Sequence, residues 1–158
     1  MVAGYGRAVP STSLPAGLLL AVGCAAIAGC AGPTPDGGAY RRQAQLTAQA
    51  VSSIVRTATL AAEAELDGRS LAPFSDTTVS DAETDAGSAQ TTFDSRQPPD
   101  AAADRLRRQL DAPLSSAVDG LQALRIAQRR GDAGAVRESL RQLEADADTL
   151  DRLRRGIP

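Results

Sequence analysis

From residue 39 onward, apolar positions recur at steps of three and four in four successive stretches. In the first, Leu46, Ala50, Val51, Ile54, Val55, Ala58, Ala61, Ala62 and Leu66 fall at helical spacing. Gln45, Gln49, Ser52, Arg56, Thr59 and Glu63 mark the other face. This predicts an amphipathic helix over 39–66, ended by Asp67-Gly68. In the second, Val79, Ala82, Ala86, Ala89 and Phe93 keep the period after Pro73, while Gly87 and many Ser and Thr weaken it. Five acids, Asp76, Asp81, Glu83, Asp85 and Asp94, precede Arg96, so the stretch reads as a helix or as an acidic loop.

Pro98-Pro99 interrupts the pattern. The third stretch runs from Asp100 to Arg130, with Ala103, Leu106, Leu110, Leu114, Ala117, Leu121 and Leu124 on one face. Pro113 inside it predicts a kink or break between Gln109 and Pro113, with Asp111 placed to cap a restart. The fourth, from Asp132 to Arg155, carries the seam Val136, Leu140, Leu143, Ala147 and Leu150. Asp148 with Arg152, and Asp151 with Arg155, stand at i,i+4 spacing for ion pairs. Gly131-Asp132 makes a tight turn between the last two stretches. Four seams without a strand signal predict an all-α domain over 39–158, an antiparallel up-down four-helix bundle. The alternative is a three-helix bundle with residues 68–99 loose.

Ahead of this domain the pattern changes. Residues 1–13 hold one charge, Arg7, and Leu14 to Ile27 is nearly all apolar up to the small residues that follow. A weakly positive start, a short apolar run and small residues describe a secretory signal. A membrane span needs roughly 20 apolar residues, more than this run offers before Pro33. The run closes on Ile27-Ala28-Gly29-Cys30, which resembles the lipobox of bacterial lipoproteins. The resemblance implies a diacylglyceryl group on the Cys30 thiol and cleavage between Gly29 and Cys30. Residues 1–29 would then be a signal peptide, and 30–38 a lipidated cysteine with a Pro/Gly-rich tether. Cys24, preceded by Ala21-Val22-Gly23, competes but has Ala where the family prefers Leu. The plainer alternative keeps both cysteines as small apolar residues of an uncleaved signal. Two acyl chains suffice to hold a protein on a bilayer. A flexible tether of this length reaches about 15 Å, which keeps the domain close to the surface.

Composition removes most chemistry. The 158 residues include no His, no Lys and no Trp, and the only Met is Met1. The usual general base, the usual zinc and haem ligand, and Schiff-base chemistry are therefore absent. The alternating acids Asp81, Glu83 and Asp85 lack the Gly and Glu that a calcium loop places at its sixth and twelfth positions, where Ala86 and Thr92 stand. No acid pair suggests a glycosidase, so the expectation is a non-enzyme without a metal or cofactor. Tyr40 reads as an aromatic staple over the end of the bundle. Near-balanced charge, at −2, and few aromatics argue against nucleic acid.

The charges are nevertheless unevenly placed. Up-down topology gathers Arg41, Arg42, Arg96, Arg105, Arg107, Arg108, Arg152, Arg154 and Arg155 at the pole where the tether attaches. Against six acids (Asp36, Asp94, Asp100, Asp104, Asp148 and Asp151) they give that pole +3, while the rest of the exported chain carries −6. Together these features predict a lipid-anchored protein on the extracytoplasmic face of a bacterial cell membrane. Its basic pole would face the bilayer, and it would act as a non-catalytic interaction module for a protein partner. A small-ligand-binding bundle is the alternative, for which a pocket lined by Phe74 or Phe93 would speak.

Overall fold

In the computed structural model, residues 36–158 are described. They form four helices: α1 (Gly37–Leu66), α2 (Ala72–Asp94), α3 (Ala101–Arg129) and α4 (Ala133–Gly156). Gly29, Cys30 and Cys24 lie outside the described residues. The second stretch is a helix, so the three-helix alternative falls away. α1 packs against α2, α3 and α4, and α3 packs against α2 and α4, while α2 and α4 make no close backbone approach. The result is an antiparallel four-helix bundle flattened along one diagonal. The core runs from Tyr40 to Ile157, and residues 36–158 lie in one compact unit, so this segment encloses its own core.

The helix ends follow from local chemistry. Asp36, Asp100 and Asp132 each accept hydrogen bonds from backbone N–H groups of the first turn that follows. These caps satisfy donors that a helix start leaves orphaned. Asp36 starts α1 two residues earlier than the pattern suggested, which takes Gly37 and Gly38 out of the expected tether. Its first turn is held by the cap, where Gly is a poor helix former. α1 and α3 both end on glycine at positive φ, Gly68 at 68° and Gly131 at 65°. The Arg69 N–H reaches the Ala64 carbonyl, and Gly68 reaches Glu65. Asp132 and Gly131 repeat the pattern on Ala127 and Gln128. Only glycine enters this left-handed turn without steric cost.

Three sequence expectations need correction. The first is a break at Pro113: α3 continues through it as one helix, and Asp111 is an exposed helical residue that caps no restart. Leu110, Leu114 and Ala117 are fully buried on the core side, and their packing carries the helix across the one missing backbone bond. The second is the face of α1. Leu46 is 59% exposed and Ala50 is also exposed, while Ser52 and Thr59 are buried. Because α1 touches three helices, its buried arc is wider than one apolar stripe. Thr59 satisfies itself locally on the Arg56 carbonyl, and the Ser52 hydroxyl lies between the Gln49 carbonyl and Asp151 of α4, within hydrogen-bond distance of both. The third concerns the α4 pairs. Arg56 of α1 reaches across to both Asp148 and Asp151, each at 3.0 Å, and Asp151 also faces Arg154 at 3.6 Å. Neither Arg152 nor Arg155 forms an ion pair with these acids.

Glycine positions separate two packing regimes. A Cβ at Gly120 would stand 2.9 Å from Leu143 Cδ2 and 3.3 Å from its Cγ, so α3 and α4 meet closely there. A Cβ at Gly87 in α2 would meet nothing within 4 Å. Gly87→Ala should stabilise the bundle by about 0.5–1 kcal/mol through helix propensity. Gly120→Ala should destabilise it, since overpacking a filled core costs about 1–3 kcal/mol. Urea titration of both variants checks the pair, and two changes of the same sign would refute this reading of the interface. Pro113→Ala should add about 1–3 kcal/mol by restoring the bond to Gln109 and relieving the ring clash. A thermal melt that does not rise would mean that α3 is shaped to accommodate the ring.

Candidate functional site

The start of α1, the end of α2, the start of α3 and the end of α4 meet at one pole. Tyr40 and Phe93, both buried, pack with ring centroids 5.5 Å apart and planes tilted by 45°. This joins α1 to α2 and places Tyr40 as a staple over the bundle end. Gln45 donates to the Ile157 carbonyl at 3.0 Å, joining α1 to the end of α4. A Cβ on Gly37 would lie 2.9 Å from Asp100 Oδ2, so the starts of α1 and α3 are adjacent. Burial raises the Tyr40 phenol pKa, an effect that nearby Arg107 opposes and Asp94 and Asp104 reinforce.

All nine arginines grouped by topology stand on these segments. Arg41 and Arg42 are in the first turns of α1, and Arg96 follows α2. Arg105, Arg107 and Arg108 lie in the early turns of α3, and Arg152, Arg154 and Arg155 in the last turns of α4. Only Arg108, paired with Asp104, and Arg154, facing Asp151, have a carboxylate within 4 Å. The other seven have no such partner among the described residues. Elsewhere Arg56, Arg69, Arg125, Arg129 and Arg141 are paired, which leaves Arg130 and Arg137. Arginines without a carboxylate within 4 Å are therefore concentrated at this pole, beside Asp36, Asp94 and Asp100, which likewise form no ion pair among the described residues.

Three of these arginines share a cavity. Arg41 from α1, Arg105 from α3 and Arg152 from α4 line a cavity of about 520 Å³. Its apolar surface comes from Ala102, Ala103, Leu106, Leu153, Ile157 and Pro158. Thr149 and Gln109 also face it, and Arg152 donates to Thr149 Oγ1 at 2.8 Å. The sequence indicated the arginines but not the cavity. Ile157 follows the end of α4 and is buried, on the continuation of the seam that runs through Leu143 and Leu150.

The other sequence-flagged groups go elsewhere. Glu83 of α2 pairs with Arg125 of α3. Asp81 and Asp85 lie on another side of α2, near Ser53, Ile54 and Thr57 of α1. The three acids thus do not converge, and no cluster able to hold a metal ion occurs among the described residues. Phe93 is fully buried in the core, and Phe74 is 64% exposed. Opposite the basic pole, Gln128 of α3 donates to Glu65 of α1 and to the buried Ser75 of α2. Among the described residues, no helix is long and apolar enough to cross a membrane. No known protein family matches the chain, nor does any curated protein or solved structure.

The Arg56 bridge has a pH signature. Partial burial pushes the Asp151 carboxyl up, but hydrogen bonds from Arg56 and Ser52 outweigh this and hold it below its ordinary 3.8. A carboxyl lowered by folding contributes stability above its unfolded pKa and loses it as pH falls through the folded value. Arg56→Ala should therefore cost about 0.5–1 kcal/mol near neutral pH, as expected for exposed ion pairs. The difference from wild type should shrink once the solution is more acidic than the ordinary carboxylate range. Urea melts at neutral and strongly acid pH check this, and an undiminished gap in acid would assign the loss to packing of the Arg56 stem.

Proposed function

We propose that the protein is a membrane-anchored extracytoplasmic lipoprotein, held through Cys30, whose bundle is a non-catalytic module for a protein partner. The anchor rests on Ile27-Ala28-Gly29-Cys30 at the end of the apolar run. The observation that carries the module reading lies at the pole opposite the arginines. There Leu71, 78% exposed, and Phe74 stand one turn apart at the start of α2. Large apolar side chains side by side in water are what a protein interface buries. Charged residues flank them: Asp67, Arg69 and Asp76. With the basic pole toward an anionic surface, this step would point away from the bilayer. A charge near such a surface contributes at most about 1 kcal/mol, so the arginines orient the bundle while the lipid holds it.

Two measurements test the reading separately. Mass spectrometry of the mature N-terminus should find Cys30 first and acylated; a start at Met1 or Cys24, or an unmodified thiol, refutes the anchor. Crosslinking from native membranes should give one dominant protein partner, and Leu71→Ser with Phe74→Ser should abolish that adduct without lowering the melting temperature. An adduct indifferent to both substitutions refutes the proposed face. Co-purification of a small molecule without a protein partner would favour the ligand-binding alternative.

A further inference from the structure

We propose that the cavity at the basic pole is a binding site for the phosphate headgroup of an anionic bilayer lipid. Arg41, Arg105 and Arg152 come from three different helices and line one cavity, and none has a carboxylate within 4 Å. Of the acids at this pole, Asp104 pairs with Arg108, and Asp148 and Asp151 are held by Arg56. Asp100 caps α3 through Oδ1, while its Oδ2 stays without an ion-pair partner among the described residues, beside Gly37, whose Cβ position also adjoins the Arg41 guanidinium. Guanidinium groups recognise phosphate oxygens through paired, charge-assisted hydrogen bonds. The cavity also has an apolar side, formed by Leu106, Leu153 and Ile157 beside the helix starts. Free phosphate has no use for that surface, whereas the glycerol and first methylenes of a lipid would cover it. Cations with an adjoining apolar wall match a phosphatidylglycerol-like amphiphile, one negative charge on a hydrocarbon stem. The inference rests on the reading that this pole faces the bilayer, and it adds a discrete, saturable site to a diffuse field.

The probe is dihexanoyl phosphatidylglycerol, titrated as a monomer against the bundle, residues 31–158, which carries its own core and no lipid. Amide NMR shifts should saturate at one equivalent and cluster at Arg41, Arg105, Leu106, Arg152, Leu153 and Ile157. The zwitterionic dihexanoyl phosphatidylcholine and inorganic phosphate should each bind at least roughly tenfold more weakly. The first lacks net charge and the second lacks apolar area. Arg41→Gln, Arg105→Gln and Arg152→Gln together should abolish binding. Arg42→Gln, Arg96→Gln and Arg155→Gln together remove the same charge from the same pole and should leave it nearly intact. Equal loss in the two triple variants would overturn the site in favour of a diffuse field. Inorganic phosphate binding as tightly as the lipid would overturn the lipid assignment, and shifts that do not saturate would overturn both. Because the anchor is absent from this experiment, its outcome is independent of whether Cys30 is acylated.

Discussion

The architecture depends on how closely α1 approaches its neighbours. Its inward positions are small: Ala44, Ala48, Ala58 and Ala62, with Val51 and Val55 between them, all essentially without exposure. Small side chains let helix axes come together, and each then contributes little apolar area by itself. α1 compensates by touching three helices, including α3 across the diagonal, where Leu110, Leu114, Leu121 and Leu124 supply the bulk. Closing that diagonal opens the other, and α2 and α4 stay apart. The wide buried arc of α1, the internal hydroxyls of Ser52 and Thr59, and a core with no aromatic residues beyond Tyr40 and Phe93 all follow from this constraint.

The parts of the fold legible in the sequence are those set by local rules. Asp100 and Asp132 at helix starts, glycines past the ends of α1 and α3, and the strict seam of α4 needed no tertiary information. α2 was ambiguous because its Ser and Thr favour competing local bonds. In the bundle those hydroxyls bond back to carbonyls one turn earlier, as Thr77, Thr78, Thr84 and Ser88 do. The start of α1 at Gly37, capped by Asp36, is a local departure; the other departures are tertiary. Pro113 would break an isolated helix but not one pinned by buried leucines on either side. Leu46 looked like core because it is apolar, yet the arc that faces three neighbours is fixed by the bundle and not by residue type.

The same distinction governs the candidate site. Grouping nine arginines at one pole required only helix order, because antiparallel topology fixes which ends meet. Deciding which cations are uncompensated required the structure. Spacing within α4 suggested that Asp148 and Asp151 would neutralise Arg152 and Arg155. Arg56 intervenes because the antiparallel packing of α1 on α4 brings its guanidinium between the two carboxylates. One cation thus satisfies two acids and leaves two arginines without carboxylate partners at the end of α4. The net charge of the pole is unchanged by this pairing; what changes is which arginines are left without a contact.

A slim bundle with a filled core constrains where function can reside. The four-helix interior is occupied by Leu, Val and Ala, so neither a ligand nor a reaction centre fits there without unpacking it. The lateral faces are occupied by cross-helix pairs such as Arg125 with Glu83 and Gln90 with Ser115. Besides lateral grooves, one beside Gly87 and Val118 and one beside the exposed Leu46, there are the two poles, where helices end and side chains have no neighbouring turn to pack against. They differ in kind: one gathers cations around a partly apolar cavity, and the other exposes Leu71 and Phe74 beside acids. An object with unlike ends, about 40 Å apart for helices of this length, is suited to join unlike surfaces. In the proposed setting these are a bilayer on one side and a protein on the other, and the bundle's rigidity fixes the distance between them.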